Sequence, residues 1–234
     1  MQNNPVVFVS LGPGEPELIT VKGLRILQQA DIILCPATIT KNGTVSSRAA
    51  DIMLPLEIAN DKIQLFPVPM SKDRSKALNV YGEICKAAMD HYKAARRVVV
   101  VAEGDAGFYS SIHYVYDKLH EVGIPVSSIP GIPAFIASGA IAGLHIVQQE
   151  ERLMVIPGNT TAEELYQLLA GEITVVIMKL SQCVDELHAF IGDHPTYHYH
   201  YFENIGTENE YYSSNREELA EKAFPYFSLM IIRK

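Results

Sequence analysis

Apolar runs of strand length alternate with helical patterns along the whole chain of 234 residues. The run at Val98–Ala102 is apolar at every position, which is typical of a central strand buried on both faces of a parallel sheet. Earlier in the chain, Val21, Leu24 and Leu27 recur at helical spacing on one face. Repeated alternation of these patterns predicts an α/β fold with mainly parallel sheets.

The alternation runs to about Leu144 and then restarts with the run ERLMVIPG. We therefore predict two α/β lobes, an N-terminal lobe of residues 1–144 and a C-terminal lobe of residues 145–234, with a linker at His145–Glu151. The sequence contains no low-complexity segment and no clear internal repeat. Hydrophobic residues make up 48% of the chain and charged residues 20%, which is enough apolar material for a core.

Charge and hydropathy exclude several classes of protein. No run of about eighteen apolar residues occurs, so we expect no membrane-spanning helix. The N-terminal segment MQNNPVVFVS has no basic region followed by a cleavage site, and we expect a cytoplasmic protein. The net charge of −8 argues against a general nucleic-acid binder. An anionic ligand would therefore need a local cluster of Lys and Arg.

Cysteine and histidine spacing predicts neither a disulfide framework nor a metal centre. Cys35, Cys85 and Cys183 are far apart, so each is expected to pack as a small apolar residue. His198 and His200 alternate and thus share one face of a predicted strand. Two histidines in this arrangement can bind a metal, but no third ligand is evident, and we predict no metal site.

Ligands of open α/β sheets bind beyond the carboxyl ends of the strands, which draws attention to the turns that follow them. These turns read GPGEPE, EGDAGFY, PGIPAF, MKLS and ENIGTE. The first has neither the lysine of a P-loop nor the three-glycine dinucleotide pattern. It also places Glu15 and Glu17 at a predicted helix start, where they would repel phosphate.

The second turn has two interpretations. Asp105 could cap a helix that Ser110 and Ser111 open, or Gly104 could be a point where a cofactor packs against the backbone. No Ser-His-Asp, Cys-His or paired-carboxylate constellation can be assembled from spacing alone. The residues by themselves therefore predict a two-lobed enzyme or binding protein for a small molecule.

The order of these motifs resembles the tetrapyrrole methyltransferases of the cobalamin and siroheme pathways, over essentially the whole chain. Within that family, the segments FPVPMSKDRSK, ERLMVIP and PYFSLMIIRK are similar to the branch that methylates carbon 20 of precorrin-2 or its cobalt complex. The resemblance implies the two-lobed fold of that family with a ligand trough, and a homodimer. The alternatives are a relative acting on another ring carbon, the diphthine-forming branch, and a non-catalytic corrinoid or adenosyl-ligand carrier.

The resemblance further implies S-adenosylmethionine as methyl donor, bound between the lobes. The positions of this sequence that match the family's donor-binding motifs are Pro13, Glu103, Gly104, Asp105, Phe108, Pro133, Ala134, Met178 and Gly206. Three departures concern these loops. Glu103 stands where a small residue is frequent, Ala106 replaces a usual proline, and the Pro133–Ala134 pair lacks a frequent hydroxyl.

A tetrapyrrole substrate carries many carboxylate arms, and an acidic chain must bind them with local basic residues. We expect this role for the basic segment SKDRSK and for two further residues. The predicted substrate-binding residues are Arg48, Lys72, Arg74, Lys76 and Tyr109. The alternative for the segment is a solvated helix start. A base must also take a proton from the ring; Glu15, Asp105, Tyr109 and Tyr114 are conceivable, and the sequence identifies none of them.

Overall fold

The computed structural model describes residues 4–39, 43–69 and 74–234. The chain divides into two compact units, residues 1–133 and residues 134–234. The boundary lies before helix Ala134–Ile141, which the sequence pattern assigns to the first lobe. Within the second unit, Gly139 of that helix lies against Ile146 and the carbonyl of Leu144, so closely that a Cβ there would meet them at 2.8 and 3.1 Å.

The first unit is built from six strands and four α-helices in its described residues. The strands are β1 (Val6–Ser10), β2 (Ile32–Ile39), β3 (Val45–Ser46), β4 (Ile63–Pro69), β5 (Val98–Ala102) and β6 (Val126–Ile129). The helices are α1 (Val21–Gln29), α2 (Arg48–Met53), α3 (Arg74–Lys93) and α4 (His113–Glu121). Strand β3 and helix α2 were not predicted from the sequence.

The first sheet has the order β3-β2-β5-β1-β6, with β4 also paired to β2. Every pairing is parallel except that of β2 with β3. The prediction of a central strand at Val98–Ala102 is confirmed, since β5 lies between β2 and β1. Val98 and Val100 belong to the core on one face of the sheet, and Val99 and Val101 to the core on the other. A strand buried on both faces must be apolar throughout.

Side-chain caps fix the starts of two helices on one face of this sheet. The hydroxyl of Thr20 accepts a hydrogen bond from Gly23 N at 3.0 Å and begins α1. The hydroxyl of Ser47 accepts one from Ala50 N at 3.2 Å and begins α2, while it donates to the carbonyl of Pro36 at 3.0 Å. Such caps satisfy amide groups that have no partner within the helix. They place Arg48, the first residue of α2, beside the end of β2.

The second unit carries five strands and four helices. They are α5 (Ala134–Ile141), β7 (Arg152–Pro157), α6 (Ala162–Ala170), β8 (Ile173–Met178), α7 (Val184–Asp193), β9 (His198–Glu203), β10 (Tyr211–Ser213), α8 (Arg216–Leu219) and β11 (Ser228–Arg233). The sheet has the order β10-β9-β11-β8-β7. Its core is formed by apolar residues of these strands and of α6 and α7.

The α/β fold class is confirmed, but the prediction of mainly parallel sheets is wrong for the second unit. Only β7 and β8 run parallel, whereas β11 is antiparallel to both β8 and β9, and β10 is antiparallel to β9. The last strand inserts between β9 and β8. It is buried over five of its six residues, and continuous apolarity reports burial without reporting strand direction.

The cysteines are buried, as predicted. Burial raises the pKa of the Cys35 thiol to about 11 and that of Cys183 to about 11. Both thiols therefore stay protonated and behave as small apolar side chains. Across the described ranges, no helix combines the length and the apolarity needed to cross a bilayer.

Candidate functional site at the strand-exit turns

The turns after β1 and β5 are joined at the carboxyl edge of the first sheet. Gly12 N donates to the carbonyl of Gly104 at 3.1 Å, and Gly104 N donates to the carbonyl of Gly12 at 2.6 Å. Both glycines have positive φ, +83° for Gly12 and +70° for Gly104. Residues with a side chain adopt this conformation at a cost, so the sequence pattern of glycine at both strand exits is explained by the joined turns.

The turn after β6 packs against the joined turns of Gly12 and Gly104. A Cβ built on Gly131 would lie 2.6 Å from Ser10 Cβ and 2.7 Å from the carbonyl oxygen of Gly104. Position 131 therefore has room only for glycine. At Gly104, by contrast, an added Cβ would meet nothing within 4 Å. The carbonyl of Gly104 thus packs against Gly131, while the side of Gly104 where a Cβ would lie is open. Close approach by a ligand requires such an open side.

Asp105 ties the three turns together. Its carboxylate accepts hydrogen bonds from Gly131 N at 2.7 Å and from Gly107 N at 2.8 Å. The buried hydroxyl of Ser10 accepts from Ala106 N at 2.9 Å and lies 3.5 Å from the same carboxylate. The helix-cap interpretation of Asp105 is wrong, because the next α-helix begins only at His113. The carboxylate links strand exits that are distant in the chain.

Arg48 and Glu103 form an ion pair at the same edge. Arg48 Nε lies 3.0 Å from Glu103 Oε1, and the two side chains are 18% and 26% exposed. Strand alternation places Glu103 on the face of Val99 and Val101, the face that α2 covers. Burial raises the pKa of Glu103 to about 7, although the cation of Arg48 acts to lower it. The sequence predicted these residues for separate roles and gave no sign that they pair.

Aromatic side chains follow Asp105. Phe108 and Tyr109 have ring centroids 4.8 Å apart, and Tyr109 has a φ of +49° with 45% of its surface exposed. A positive φ in a tyrosine is uncommon and marks a locally constrained backbone. Ala106, which stands where the family's proline is usual, is buried. On the first turn, Pro13 is buried as well.

Of the predicted basic cluster, Lys72 lies outside the described residues. Arg74 is the first residue of α3, and its Nη2 donates to the hydroxyl of Tyr114 at 3.4 Å. Lys76, two residues further along the same helix, is exposed. Arg74 therefore lies beside the start of α4, the helix that follows the Asp105 turn.

In the second unit, the turn after β8 contains Met178, the last strand residue, and Lys179, which has a φ of +61°. Gly158, which follows β7, packs on the carbonyl of Lys179 so closely that no Cβ would fit. Sequence reasoning missed Gly158, although a Pro-Gly pair after a strand is a turn signal. Gly206 has a φ of +74° and donates its N–H to Glu210 at 2.8 Å.

Pro133 ends the first unit and Ala134 begins α5. On β9, His200 Nδ1 lies 3.0 Å from the hydroxyl of Tyr212. Nowhere in residues 4–39, 43–69 and 74–234 do three or more His, Cys, Asp or Glu side chains form a group that could hold a metal ion.

The fold and the joined turns define an α/β protein with a candidate small-molecule site at the carboxyl edge of its first sheet. The family profile of the tetrapyrrole (corrin/porphyrin) methylases matches residues 5–220. The chain belongs to this family, and the resemblance recognised in the motifs is confirmed.

Two curated relatives illustrate the similarity. The chain is 29% identical to the precorrin-2 C(20)-methyltransferase of Sinorhizobium sp. over 236 residues, which covers 97% of this chain and 94% of the relative. It is 29% identical to the cobalt-precorrin-2 C(20)-methyltransferase of Salmonella typhimurium over 180 residues, covering 76% and 73% of the two chains.

Solved structures share the fold. A cobalt precorrin-4 methyltransferase, described as a cobalamin biosynthetic enzyme, aligns with a TM-score of 0.71 at 19% identity, covering 97% of this chain and 94% of that one. The uroporphyrin-III C-methyltransferase of Thermus thermophilus, complexed with S-adenosylhomocysteine, aligns with a TM-score of 0.66 at 22% identity, covering 99% and 98%. The predicted methylase fold is therefore confirmed.

Proposed function

We propose that this chain transfers a methyl group from S-adenosylmethionine to carbon 20 of precorrin-2, or of its cobalt complex, during synthesis of the corrin ring of cobalamin. Family membership supports a methyltransferase. Similarity to two carbon-20 methyltransferases, in one case along nearly the full length of both chains, supports the position of methylation.

The observation that carries the donor assignment is the open backbone at Gly104, held by the Gly12 bridge and by Asp105. Beside it the chain offers the carboxylates of Glu15, Glu17 and Asp105 and no phosphate cradle. Such an edge favours a cationic ligand over a phosphorylated one. The residues fit S-adenosylmethionine, which, when bound, supplies a methyl group on a positively charged sulfur.

The residues proposed to hold the donor in the first unit are Pro13, Glu103, Gly104, Asp105, Phe108 and Pro133. They act mainly through the backbone and through the shape of the turns, because the carboxylate of Asp105 is already bound by backbone amides. Ala134, Met178 and Gly206, in the second unit, are proposed by resemblance alone. Rigid turns matter because holding the methyl group in line with the ring carbon removes a large part of the barrier, on the order of 7–11 kcal/mol.

We propose that the substrate's carboxylate arms meet Arg74 and Lys76 at the start of α3, with Lys72, Arg48 and Tyr109. Arg74 is exposed and already donates to the hydroxyl of Tyr114. Its guanidinium has five donors, so binding a carboxylate does not require that hydrogen bond to break.

Transfer of a labelled methyl group tests the proposal. The purified protein is incubated with labelled S-adenosylmethionine and either factor II or cobalt-factor II in reduced form. Incorporation into one or both, with the product carbon identified as C-20 by NMR, is the expected result. Absence of label from both tetrapyrroles refutes the proposal.

A methyltransferase acting on another ring carbon is the second candidate. It is supported by 26% identity over 154 residues to the cobalt-precorrin-4 C(11)-methyltransferase of Methanocaldococcus jannaschii. The two candidates predict different label positions in the same NMR spectrum, so the assay above separates them.

We further propose a homodimer, as the resemblance implies, and a cytoplasmic location, as the N-terminal sequence suggests. Sedimentation equilibrium of the purified chain distinguishes a dimer from the 25.9 kDa monomer. Fractionation of cells that express the chain tests its location.

A further inference from the structure

Glu103 occupies an unusual place for a carboxylate. It follows β5 directly, at the centre of the first sheet's carboxyl edge, and it precedes the open backbone of Gly104. Neighbouring positions of the strand, from Val98 to Ala102, are apolar and buried. A charged residue placed there loses hydration, which is unfavourable unless the charge is compensated or used. Its position therefore suggests a chemical role at the proposed methyl-transfer site.

Of the other candidate bases, Asp105, Glu15 and Tyr114 each take part in a hydrogen bond, and Tyr109 is 45% exposed on the turn. Asp105 is bound by the amides of Gly131 and Gly107. Glu15 is exposed and caps the short 3-10 turn that follows, accepting from Glu17 N at 3.3 Å. The hydroxyl of Tyr114 receives a hydrogen bond from Arg74. Glu103, by contrast, is held through a single oxygen by Arg48 Nε in the contacts described above.

We propose that Glu103 accepts the proton that the tetrapyrrole ring loses after methylation, and that Arg48, in addition to its proposed contact with a substrate carboxylate, is a positioning residue that orients Glu103. The inference rests on the proposed function. The ring carbon forms its new bond to the methyl group as the carbon–sulfur bond breaks, with the electron pair left on sulfur. The proton displaced from the methylated ring passes to a Glu103 oxygen, giving a neutral acid, and is then released to water.

The charged surroundings of Glu103 suit this exchange. Helix α2 carries Arg48, which forms the ion pair, and Asp51, which is exposed. On the same face of the sheet, strand β2 carries Cys35, a thiol whose pKa is raised to about 11 and which is neutral. The same turn carries Asp105. Burial holds the pKa of Glu103 at about 7, with Arg48 acting in the opposite direction, and a base with a pKa near the working pH transfers protons most effectively.

The test measures kcat for labelled methyl transfer at saturating donor and tetrapyrrole from pH 5.5 to 8.5 (a range of about three units around neutrality). The wild type is expected to lose activity on the acidic side, with an apparent pKa near that of Glu103. Glu103→Gln, which keeps the shape but cannot accept a proton, should lower kcat by about 100-fold or more and abolish the acidic limb. Its affinity for S-adenosylhomocysteine, measured by calorimetry, should stay within about twofold of the wild type.

Arg48 variants give a second readout. Arg48→Gln removes the cation that favours the charged carboxylate, so the acidic limb should move upward by about one pH unit or more. Arg48→Lys retains the charge, so its acidic limb should lie close to that of the wild type. Glu121→Gln, which removes an exposed carboxylate at the far end of α4, is the matched control and should leave the profile unchanged.

Each result decides the inference. A flat wild-type profile, or a Glu103→Gln variant within about fivefold of wild-type kcat, overturns it while the proposed function stands. A Glu103→Gln variant that no longer binds S-adenosylhomocysteine also overturns it, because the side chain would then serve the fold or the donor. Lack of methyl transfer by the wild type to either tetrapyrrole refutes the proposed function and this inference together.

Discussion

Replacing Gly131 by alanine should destabilise the first unit at the point where its three strand-exit turns meet. The new methyl group would lie 2.6 Å from Ser10 Cβ and 2.7 Å from the carbonyl oxygen of Gly104. Carbon atoms in contact prefer about 3.5–4.0 Å, so one side must retreat by about 1 Å. Neither neighbour moves freely, since Ser10 is fully buried and the Gly104 carbonyl accepts from Gly12 N at 3.1 Å.

Forcing an extra methyl group into such a site costs about 1–3 kcal/mol. For a chain of this length each kcal/mol lowers Tm by about 2–4 °C. The free energy of unfolding is measured by urea denaturation followed by circular dichroism, with thermal melts as a second readout. Gly131→Ala should therefore shift both the urea midpoint and Tm downward.

Gly82→Ala is the matched control, because the same chemical change should have the opposite sign there. Gly82 lies inside α3, is exposed, and has no atom within 4 Å of an added Cβ. Alanine is favoured over glycine in a helix interior by about 0.8–1.0 kcal/mol, so this variant should be more stable than the wild type. If Gly131→Ala proves as stable as the wild type while Gly82→Ala behaves as expected, the close packing described for the turns is refuted.

Three further predictions concern the same edge of the sheet. Asp105→Asn removes the charge that two backbone amides bind, and should lower the free energy of unfolding by about 1–3 kcal/mol in urea titrations. An unchanged urea midpoint would contradict the role of this carboxylate in joining the turns. Arg74→Ala should raise KM for the tetrapyrrole more than KM for the methyl donor in steady-state assays. Lys93→Ala, at the far end of α3, is the control. Equal effects of Arg74→Ala on both constants would show that Arg74 does not belong to the substrate site. The pKa of Glu103 is about 7 in the folded chain and has its ordinary value of 4.5 in the unfolded chain, so the folded chain binds this proton more tightly. The protonated Glu103 therefore contributes to stability below pH 4.5, and this contribution is lost as pH rises through 7. Urea titrations at several pH values should accordingly show Glu103→Gln gaining stability relative to the wild type across that window, and a constant difference would count against the raised pKa.

Much of the first unit follows from local sequence. The all-apolar strand β5 had to lie between two neighbours with helices on both faces, because a strand with one solvent-exposed face would carry polar residues at alternate positions. Glycine at position 104 predicted close backbone approach at a strand exit, and Gly104, like Gly12 on the turn after β1, has the positive φ that glycine adopts most readily.

The second unit shows the limit of such patterns. Strand β9 was recognised as a strand, but the antiparallel pairing of β9 and β11 was not. An apolar run records how deeply a strand is buried, and it records nothing about which neighbour it pairs with. That choice depends on how α7, α8 and the connections between strands pack, which involves residues distant in the chain.

Glycine positions and apolar runs are enough to locate the sharp turns of the backbone and the buried segments, since glycine conformation and apolar burial are properties of single residues and their near neighbours. The contacts of the polar side chains at those turns become visible only once the chain is folded. Asp105 reaches Gly131, and Glu103 reaches Arg48, across gaps in sequence that no local pattern spans. A hydrogen bond or an ion pair depends on distances in space, and these are set once the parallel strands have brought their carboxyl ends to one edge.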